Sequence, residues 1–434
     1  TAPTHQAKNI LNENTADNIR VVTLQSLLML KPSRGANLNN EFIANTLSEI
    51  EEMYNIFGNK LDIFKYDSFI IDEASMIDGS KELVERDVDQ WDEETNGYIK
   101  VKKIVSVDLG SYLKEILELK YKLTGKVTKV LLIGDIAQVP PIGVQDNQIS
   151  TILQYLINSG KYADLSKIRR TDNASIRDLS QTIRTIFFNA YKGTTKSFNI
   201  VKIINDIPLN NRENIVTLNE KKDLLSTFIN LYNANINSEK PSPSYTAILN
   251  YNNTVYDFTV QLTQELRQLL FNNGSSDELK ELYPNETILL NGKIEHNGLF
   301  FDKDTKIFVK SYVPVDNTFI VGSKYPTAFR IPGYQMTVNI QYGSRILEDI
   351  VIYVAPTSVK EELIKLYDQF TTDVKIVQWN GQNIRKWQVR ELLSIIPFYD
   401  YAYVINVYKI QGSTIDYPIV HIDNLQSNSR IPLL

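Results

Sequence analysis

The sequence contains no cysteine among its 434 residues, which excludes disulfide bonds, thiolate nucleophiles and cysteine-ligated zinc. Its three histidines, His5, His296 and His421, lie far apart in the chain, so a histidine-rich metal site is not expected either. No apolar run approaches the roughly 20 residues that a membrane-spanning helix needs. A basic excess is also missing: the formal net charge is −5. Any nucleic-acid binding must therefore use a local groove rather than bulk charge.

Two adjacent carboxylates, Asp72 and Glu73, directly follow the apolar run Phe69–Ile71. Such a short apolar run, bounded by polar residues, predicts a buried parallel strand. Open α/β sheets bind ligands at the carboxyl ends of these strands, and Mg²⁺ prefers carboxylate and phosphate oxygens. In a nucleotide hydrolase, Asp72 would hold Mg²⁺ and Glu73 would orient or deprotonate the attacking water. Taken alone, the pair is equally compatible with a strand that ends in an acidic turn.

A second apolar run, Val130–Ile133, leads into the sequence Gly-Asp-Ile-Ala-Gln-Val-Pro-Pro, in which the glutamine is Gln138. A glutamine side chain accepts a hydrogen bond from water and donates one to a phosphate oxygen. These are the properties that sensing of a γ-phosphate requires. The proline pair forbids a helix directly before it.

The two motifs, DEAS at 72–75 and GDxxQxPP at 134–141, resemble motifs II and III of superfamily-one helicases. The resemblance is to the B-type branch, which includes RecD, Dda and their relatives. It implies an α/β fold with two RecA-like parallel-sheet domains, a small pin insertion and an SH3-like β-barrel insertion. It also implies ATP hydrolysis between the two domains and 5′→3′ movement on single-stranded DNA.

The length predicts about three domains, and a hydrophobic content of 43% suffices for several cores. Asn96-Gly97 predicts a surface hairpin, and residues 176–184 predict an amphipathic helix. Short β-type runs that alternate with turns predict the barrel, namely 287–290, 306–309, 319–321, 337–340 and 350–353, and residues 361–370 predict a helix within it. By resemblance, the first RecA-like domain covers 1–163 and is incomplete at its N-terminus; it contains the pin at about 31–66 and the surface insertion at about 84–108. The second RecA-like domain covers 164–285 plus 391–434 and is incomplete at its C-terminus. The barrel covers 286–390, between the two parts of the second domain.

Two further segments resemble family motifs that contact the strand or the nucleotide. Pro3-Thr4-His5 resembles motif Ia, and a helix N-terminus there can donate to a strand phosphate. Thr4 alone is equally a helix N-cap. Leu165–Thr171 resembles the element whose arginine, here Arg170, reaches the γ-phosphate, a role that suits a planar and permanently charged group. A surface strand that ends in a basic pair is the alternative.

Near the end of the chain, the segment 401–416 resembles motif V. Gly412 would let the backbone approach a phosphate closely, and Ser413 would donate to the strand backbone. Asn252 matches the asparagine of another family element that follows a strand. The residues of these two elements expected to contact the strand are Asn252, Lys409, Gln411, Ser413 and Thr414.

Together the motifs predict an ATP-dependent DNA helicase that uses ATP and Mg²⁺ and binds single-stranded DNA. The expected catalytic residues are Glu73, Gln138 and Arg170, and the expected metal ligand is Asp72. The expected nucleotide-binding residues are Asp72, Glu73, Gln138, Arg170 and Gly412. We expect a cytoplasmic monomer with no membrane contact that acts in replication, recombination or repair, with proteins of those processes as further partners.

The phosphate-loop pattern GxxxxGK[ST] does not occur in the 434 residues. Because the chain also opens inside one motif and stops before the arginine of motif VI, we expect an internal piece of a longer helicase. We further expect this piece alone to have negligible ATPase activity. The alternative is a helicase-derived module that has lost hydrolysis and binds nucleic acid or protein.

Overall fold

Two units make up the computed structural model of the chain: Thr1–Val216 with Asn428–Leu434, and Thr217–Ser427. The residues that the structure describes are 1, 8, 11–12, 15–16, 18–32, 42–79, 83–92, 97–105, 108–135, 150–165, 173–191, 216, 218, 220–250, 256–272, 274–275, 277–322, 326–342, 345–371, 374–410 and 415–421. Of these, the backbone alone is described at 89–92, 97–98, 186–191, 256–258, 408 and 410. The predicted domain limits at 163 and 285 stay predictions.

The described part of the first unit combines two sheets with helices. Its strands are β1 (Lys31–Pro32), β2 (Phe42–Ala44), β3 (Ser68–Ile71), β4 (Val84–Asp92), β5 (Gly97–Val105) and β6 (Lys129–Leu132). Its α-helices are α1 (Leu24–Leu27), α2 (Leu47–Phe57), α3 (Asp62–Lys65), α4 (Leu109–Thr124), α5 (Thr151–Asn158) and α6 (Ala174–Tyr191), with 3₁₀ turns at Gly58–Lys60 and Ala74–Met76. Strands β3 and β6 are parallel. Strands β1, β2, β5 and β4 form, in that order, an antiparallel sheet.

The two longer helices that flank strand β3 in sequence have well-defined ends. Helix α2 starts with a capping box, in which Thr46 and Glu49 bond each other's backbone N–H groups. Helix α4 starts at Asp108, whose carboxylate accepts from the Gly110 and Ser111 N–H groups at 3.0 Å. It ends at Gly125, whose φ of 68° is the left-handed conformation that glycine adopts without strain.

One face of the parallel pair is buried and the other is exposed. Phe69 and Ile71 pack into the first core with Ile116 of α4 and Phe64 of α3. The predicted parallel strand is confirmed, but its burial is limited to one face, because Ile70 is 55% exposed and the facing Leu131 is 56% exposed. Strands in this sheet alternate between core and exposed side chains.

The second unit also combines parallel and antiparallel sheets. Its described strands are β7 (Thr246–Asn250), β8 (Thr287–Asn291), β9 (Ile294–His296), β10 (Leu299–Phe301), β11 (Lys306–Val321), β12 (Thr327–Tyr342), β13 (Arg345–Val354), β14 (Ile376–Trp379), β15 (Gln382–Arg385), β16 (Phe398–Tyr401), β17 (Val404–Asn406) and β18 (Tyr417–Val420). Its described helices are α7 (Lys221–Ile236), α8 (Tyr256–Phe271), α9 (Thr357–Asp368), α10 (Lys386–Ile395) and α11 (Val407–Ile410).

The antiparallel sheet of the second unit has the strand order β13-β12-β11-β8-β16, and the parallel sheet has the order β17-β7-β18. The two remaining pairs in the described part of this unit are the hairpins β9–β10 and β14–β15. The predicted β-rich segment therefore contributes four strands to the five-stranded sheet and forms the two separate hairpins, while the fifth strand, β16, lies beyond residue 390. Its closure into an SH3-like barrel and the role of the 31–66 segment as a pin stay predictions. The described helices include none that is both long and apolar enough to cross a membrane.

Candidate functional site

The turns after β3 and β6 are in direct backbone contact. Ile71 of β3 lies beside Leu132 of β6, so both parallel strands end at the same edge of the sheet. The Ile133 N–H donates to the Ile71 carbonyl at 2.8 Å, and the Ala74 N–H donates to the Ile133 carbonyl at 2.8 Å. The backbone hydrogen bonds thus continue beyond the ends of β3 and β6. They bring the start of the 72–75 motif next to the start of the 134–141 motif.

Gly134 makes this contact possible. A Cβ at position 134 would lie 2.7 Å from the backbone nitrogen of Ser75 and 3.1 Å from that of Ala74. No real Cβ tolerates such a distance from backbone, so the second turn can rest on the first only with glycine here. The motif's glycine therefore has a packing role in addition to any role in ligand approach.

Glu73 has a strained backbone. Its φ of 52° and ψ of 38° are left-handed, a conformation that costs a non-glycine residue about 1–2 kcal/mol. Five of the seven such residues in the described chain are Asn or Asp, which tolerate it; Glu73 and Met29 are the exceptions. Strain of this kind is concentrated at functional sites. The neighbouring Asp72 is fixed by its N–H, which donates to the Thr1 carbonyl at 2.8 Å.

Ser75 carries a buried hydroxyl beside the two carboxylates. The residue is 4% exposed, and its Oγ has no hydrogen-bond partner in the described structure. A buried hydroxyl without a partner is costly unless a water or ligand bonds it. Just downstream, the Thr151 hydroxyl bonds Asp78 at 2.9 Å and Ser150 bonds the Ile77 carbonyl. The chain is thus held firmly on this side of the turn.

An arginine that the sequence assigned only to a helix, Arg184 of α6, reaches this site. Its Nη1 lies 2.6 Å from Oδ2 of Asp135, the residue after Gly134, and its Nη2 lies 3.4 Å from Oδ1 of Asp164. Arg184 and Asp135 are 24% and 28% exposed. The partners are 49 residues apart in the chain, and no local pattern announces such a pair.

Lys409 is the predicted strand-binding residue that the structure describes, and it lies between carboxylates. Its Nζ is 3.3 Å from Asp400 and 4.0 Å from Asp304. Asp400 also accepts from the Asn291 side chain at 3.3 Å. Burial lowers the pKa of Lys360. The negative charge of Asp400 opposes this effect, and the positive charge of Lys409 adds to it. Lys409 is thus part of a mixed ionic cluster.

Most predicted site residues lie outside the described residues: Pro3, Thr4, His5, Gln138, Arg170, Asn252, Gln411, Gly412, Ser413 and Thr414. The structure therefore brings together Asp72, Glu73 and the Gly134 turn, and the other assignments stay predictions. In the described chain, no group of three or more acidic or histidine side chains could hold a metal ion. Nucleotide-bound Mg²⁺ needs only one or two carboxylates because phosphates and waters complete its shell, so a single protein ligand, Asp72, is compatible with it.

No protein-family model matches the chain, and no curated protein matches it. Among solved structures, the chain is similar to the crystal structure of a Pif1 helicase from Bacteroides in complex with ADP-AlF3 and single-stranded DNA. The identity is 15% and the TM-score is 0.34, with 97% of this chain and 75% of that chain covered. A second Bacteroides Pif1 structure, bound to single-stranded DNA, gives a TM-score of 0.32 at 15% identity with the same coverage. The crystal structure of a double mutant of the Bacteroides Pif1 helicase gives a TM-score of 0.24 at 14% identity, with 97% of this chain and 75% of that chain covered. These scores are too low to carry an argument about function, and the closer likeness to RecD and Dda stays a prediction.

Proposed function

We propose that the chain is the body of an ATP-dependent DNA helicase of superfamily one. The observation that carries the proposal is the contact between the Asp72-Glu73 turn and the Gly134 turn. The two motifs were assigned separately from sequence, and a nucleotide hydrolase needs their side chains at one site. A strained glutamate and a buried hydroxyl without a partner lie on the same turn.

In this proposal, the chain's own residues divide the work of phosphoryl transfer. Asp72 holds Mg²⁺, which when bound neutralises charge on the phosphates. Glu73 orients and deprotonates the attacking water. Gln138 contacts the γ-phosphate, and Arg170 stabilises the charge that develops on it in the transition state. The left-handed backbone sets the direction in which the Cα–Cβ bond of Glu73 leaves the turn.

The proposed partner is single-stranded DNA, along which the protein would move 5′→3′. The contacts would come from residues 3–5, Asn252 and the segment from Lys409 to Thr414. A chain with a net charge of −5 has no general attraction for DNA, so these local donors have to supply it. Affinity should therefore fall with salt according to the few phosphates contacted.

The test is Glu73→Gln in the natural gene product that contains this chain. Loss of a general base should lower kcat for ATP by about 100-fold or more, while the affinity for ATP stays within about twofold. The matched control is Glu51→Gln, an exposed glutamate on α2, which should leave kcat unchanged. ATP turnover that survives Glu73→Gln would refute the assignment of the base.

The second candidate function is a helicase-derived module that binds nucleic acid or protein without hydrolysis. The natural gene product can be assayed for both properties, and if the helicase proposal is right it hydrolyses ATP and binds single-stranded DNA. A gene product that binds DNA in a salt-dependent manner but never hydrolyses ATP would establish the binding module instead.

A further inference from the structure

Helix α6 supplies one guanidinium group that joins two separate loops. Arg184 bonds Asp135 at 2.6 Å and Asp164 at 3.4 Å. In the sequence, Asp135 lies three residues before Gln138, and Asp164 lies six residues before Arg170. The same side chain therefore bonds the stretches that lead to both residues proposed to contact the γ-phosphate.

The chemistry of this joint requires arginine. A guanidinium is planar and has donors pointing in different directions, so it can bond two carboxylates at once, whereas a lysine ammonium acts as a point charge. The contact with Asp135 is a short charge-assisted bond between side chains that are each about three-quarters buried. Its anchor is a helix of 18 residues.

The joint also bears on the catalytic turn. Asp135 follows Gly134, which rests on Ser75 with no room for a Cβ. Ile133, one residue further back, accepts the Ala74 N–H. A displacement of Asp135 would therefore disturb the backbone bonds that hold the turn carrying Glu73.

We propose that Arg184 is a positioning residue that fixes Asp135 and Asp164, and through Asp135 the Gly134 turn, relative to the Asp72-Glu73 turn. This inference rests on the proposed function, because it assumes that the site hydrolyses ATP. It assigns to a helix outside both motifs the task of keeping the parts of the site in one geometry. Misplacement of reacting groups by about 1 Å costs up to 100-fold in rate.

The experiment compares Arg184→Lys and Arg184→Met with Arg177→Met in the natural gene product. Arg177 is an exposed arginine on the same helix and serves as the matched control. Both Arg184 variants should lower kcat for ATP about tenfold or more, with KM changed less than about threefold. Arg184→Lys should recover little activity, although it keeps the charge and the fold. The control should match the wild type.

Hydrogen exchange provides the readout that does not depend on hydrolysis. The amides of Ala74 and Ile133 should exchange about tenfold faster in both Arg184 variants, while those of the β4–β5 hairpin are unchanged. Unaltered exchange with a large rise in KM would overturn the inference, because Arg184 would then contact the nucleotide itself. Faster exchange in a gene product whose wild type hydrolyses no ATP would support the positioning of the turn and refute the proposed function alone.

Discussion

A buried ion pair in the second unit should control the stability of that unit. Arg267 of α8 donates from Nε to Glu286 at 2.6 Å, and the two side chains are 5% and 0% exposed. Glu286 also accepts from the Tyr403 hydroxyl at 3.0 Å and from the Tyr283 N–H at 2.8 Å. Burial raises the pKa of Glu286, and the attraction of Arg267 opposes that rise. Because Glu286 directly precedes β8, the pair joins a helix beside the parallel sheet to the antiparallel sheet.

The expected magnitudes follow from the burial of both charges. Arg267→Met leaves a carboxylate in the core, and removal of one partner from a buried pair costs about 3–5 kcal/mol. Glu286→Gln should cost a similar amount, because the partners that the guanidinium keeps, the carbonyl groups of Lys280 and Glu281 and the ring of Tyr401, carry no full negative charge. The double variant should be about 2–3 kcal/mol more stable than the sum of the two single losses predicts, because neither charge is then left alone.

Urea unfolding would measure these losses. The probe is the fluorescence of Trp379, which is 5% exposed in the second unit. All variants would carry phenylalanine in place of Trp91 and Trp387, so that Trp379 alone is observed. The matched control is Lys240→Met, which removes the exposed pair with Glu348 and should leave the midpoint unchanged. A loss below about 1 kcal/mol for Arg267→Met, or full additivity in the double variant, would refute the reasoning from burial.

Two further predictions concern charges in the second unit. Burial lowers the pKa of Lys306 from 10.5 to about 8, an effect that Asp416 partly opposes. Because the unfolded chain then binds more protons between pH 8 and 10.5, stability should rise with pH across that window by about 3 kcal/mol, and this gain should be absent below about pH 8. Urea titrations at several pH values should show this rise in the wild type but not in Lys306→Met. Separately, Asp400→Asn should free Lys409 from a competing carboxylate and strengthen single-stranded DNA binding about two- to fivefold by fluorescence anisotropy; weaker binding would contradict the proposed strand contact of Lys409.

The sequence predicted best those features that depend on neighbouring residues. The hairpin predicted around Asn96-Gly97 is confirmed as the antiparallel pairing of β4 with β5, with Gly97 opposite Asp92 as part of β5. The strands at 287–290 and 350–353 are confirmed as well. The helix expected from Glu361 begins four residues earlier, at Thr357. In these cases the local pattern alone carries enough information.

The lengths of the strands could not be predicted from local sequence patterns. The runs 306–309 and 319–321 were predicted as separate strands, and they form the single strand β11 with Pro314 near its middle. Proline is tolerated there because β11 pairs with β8 only at 306–308, which leaves one edge free at residue 314. Pairing partners distant in sequence decide where an edge is free.

In the candidate site too, some features could be predicted from local patterns and others could not. The meeting of the two motifs was predictable because adjacent parallel strands end at one edge. The strain at Glu73, the lack of a partner for the Ser75 hydroxyl and the ion pairs of Arg184 were not predictable, because each depends on packing between segments far apart in the chain. The apolar composition of β3 predicted a buried strand, and burial is limited to one face because the described core covers only that face.

The segments predicted as a pin at 31–66 and as a surface insertion at 84–108 share one sheet. Ile43 of β2 pairs with Val105 of β5, and Lys103 of β5 bonds Glu49 and, at 3.1 Å, Asn45. The Asp72-Glu73 turn after β3 lies between the two segments in sequence, so the chain leaves this sheet, forms the turn and returns to the same sheet. Local patterns separate the two segments because strand pairing joins residues on both sides of the turn, more than 60 residues apart in the case of Ile43 and Val105.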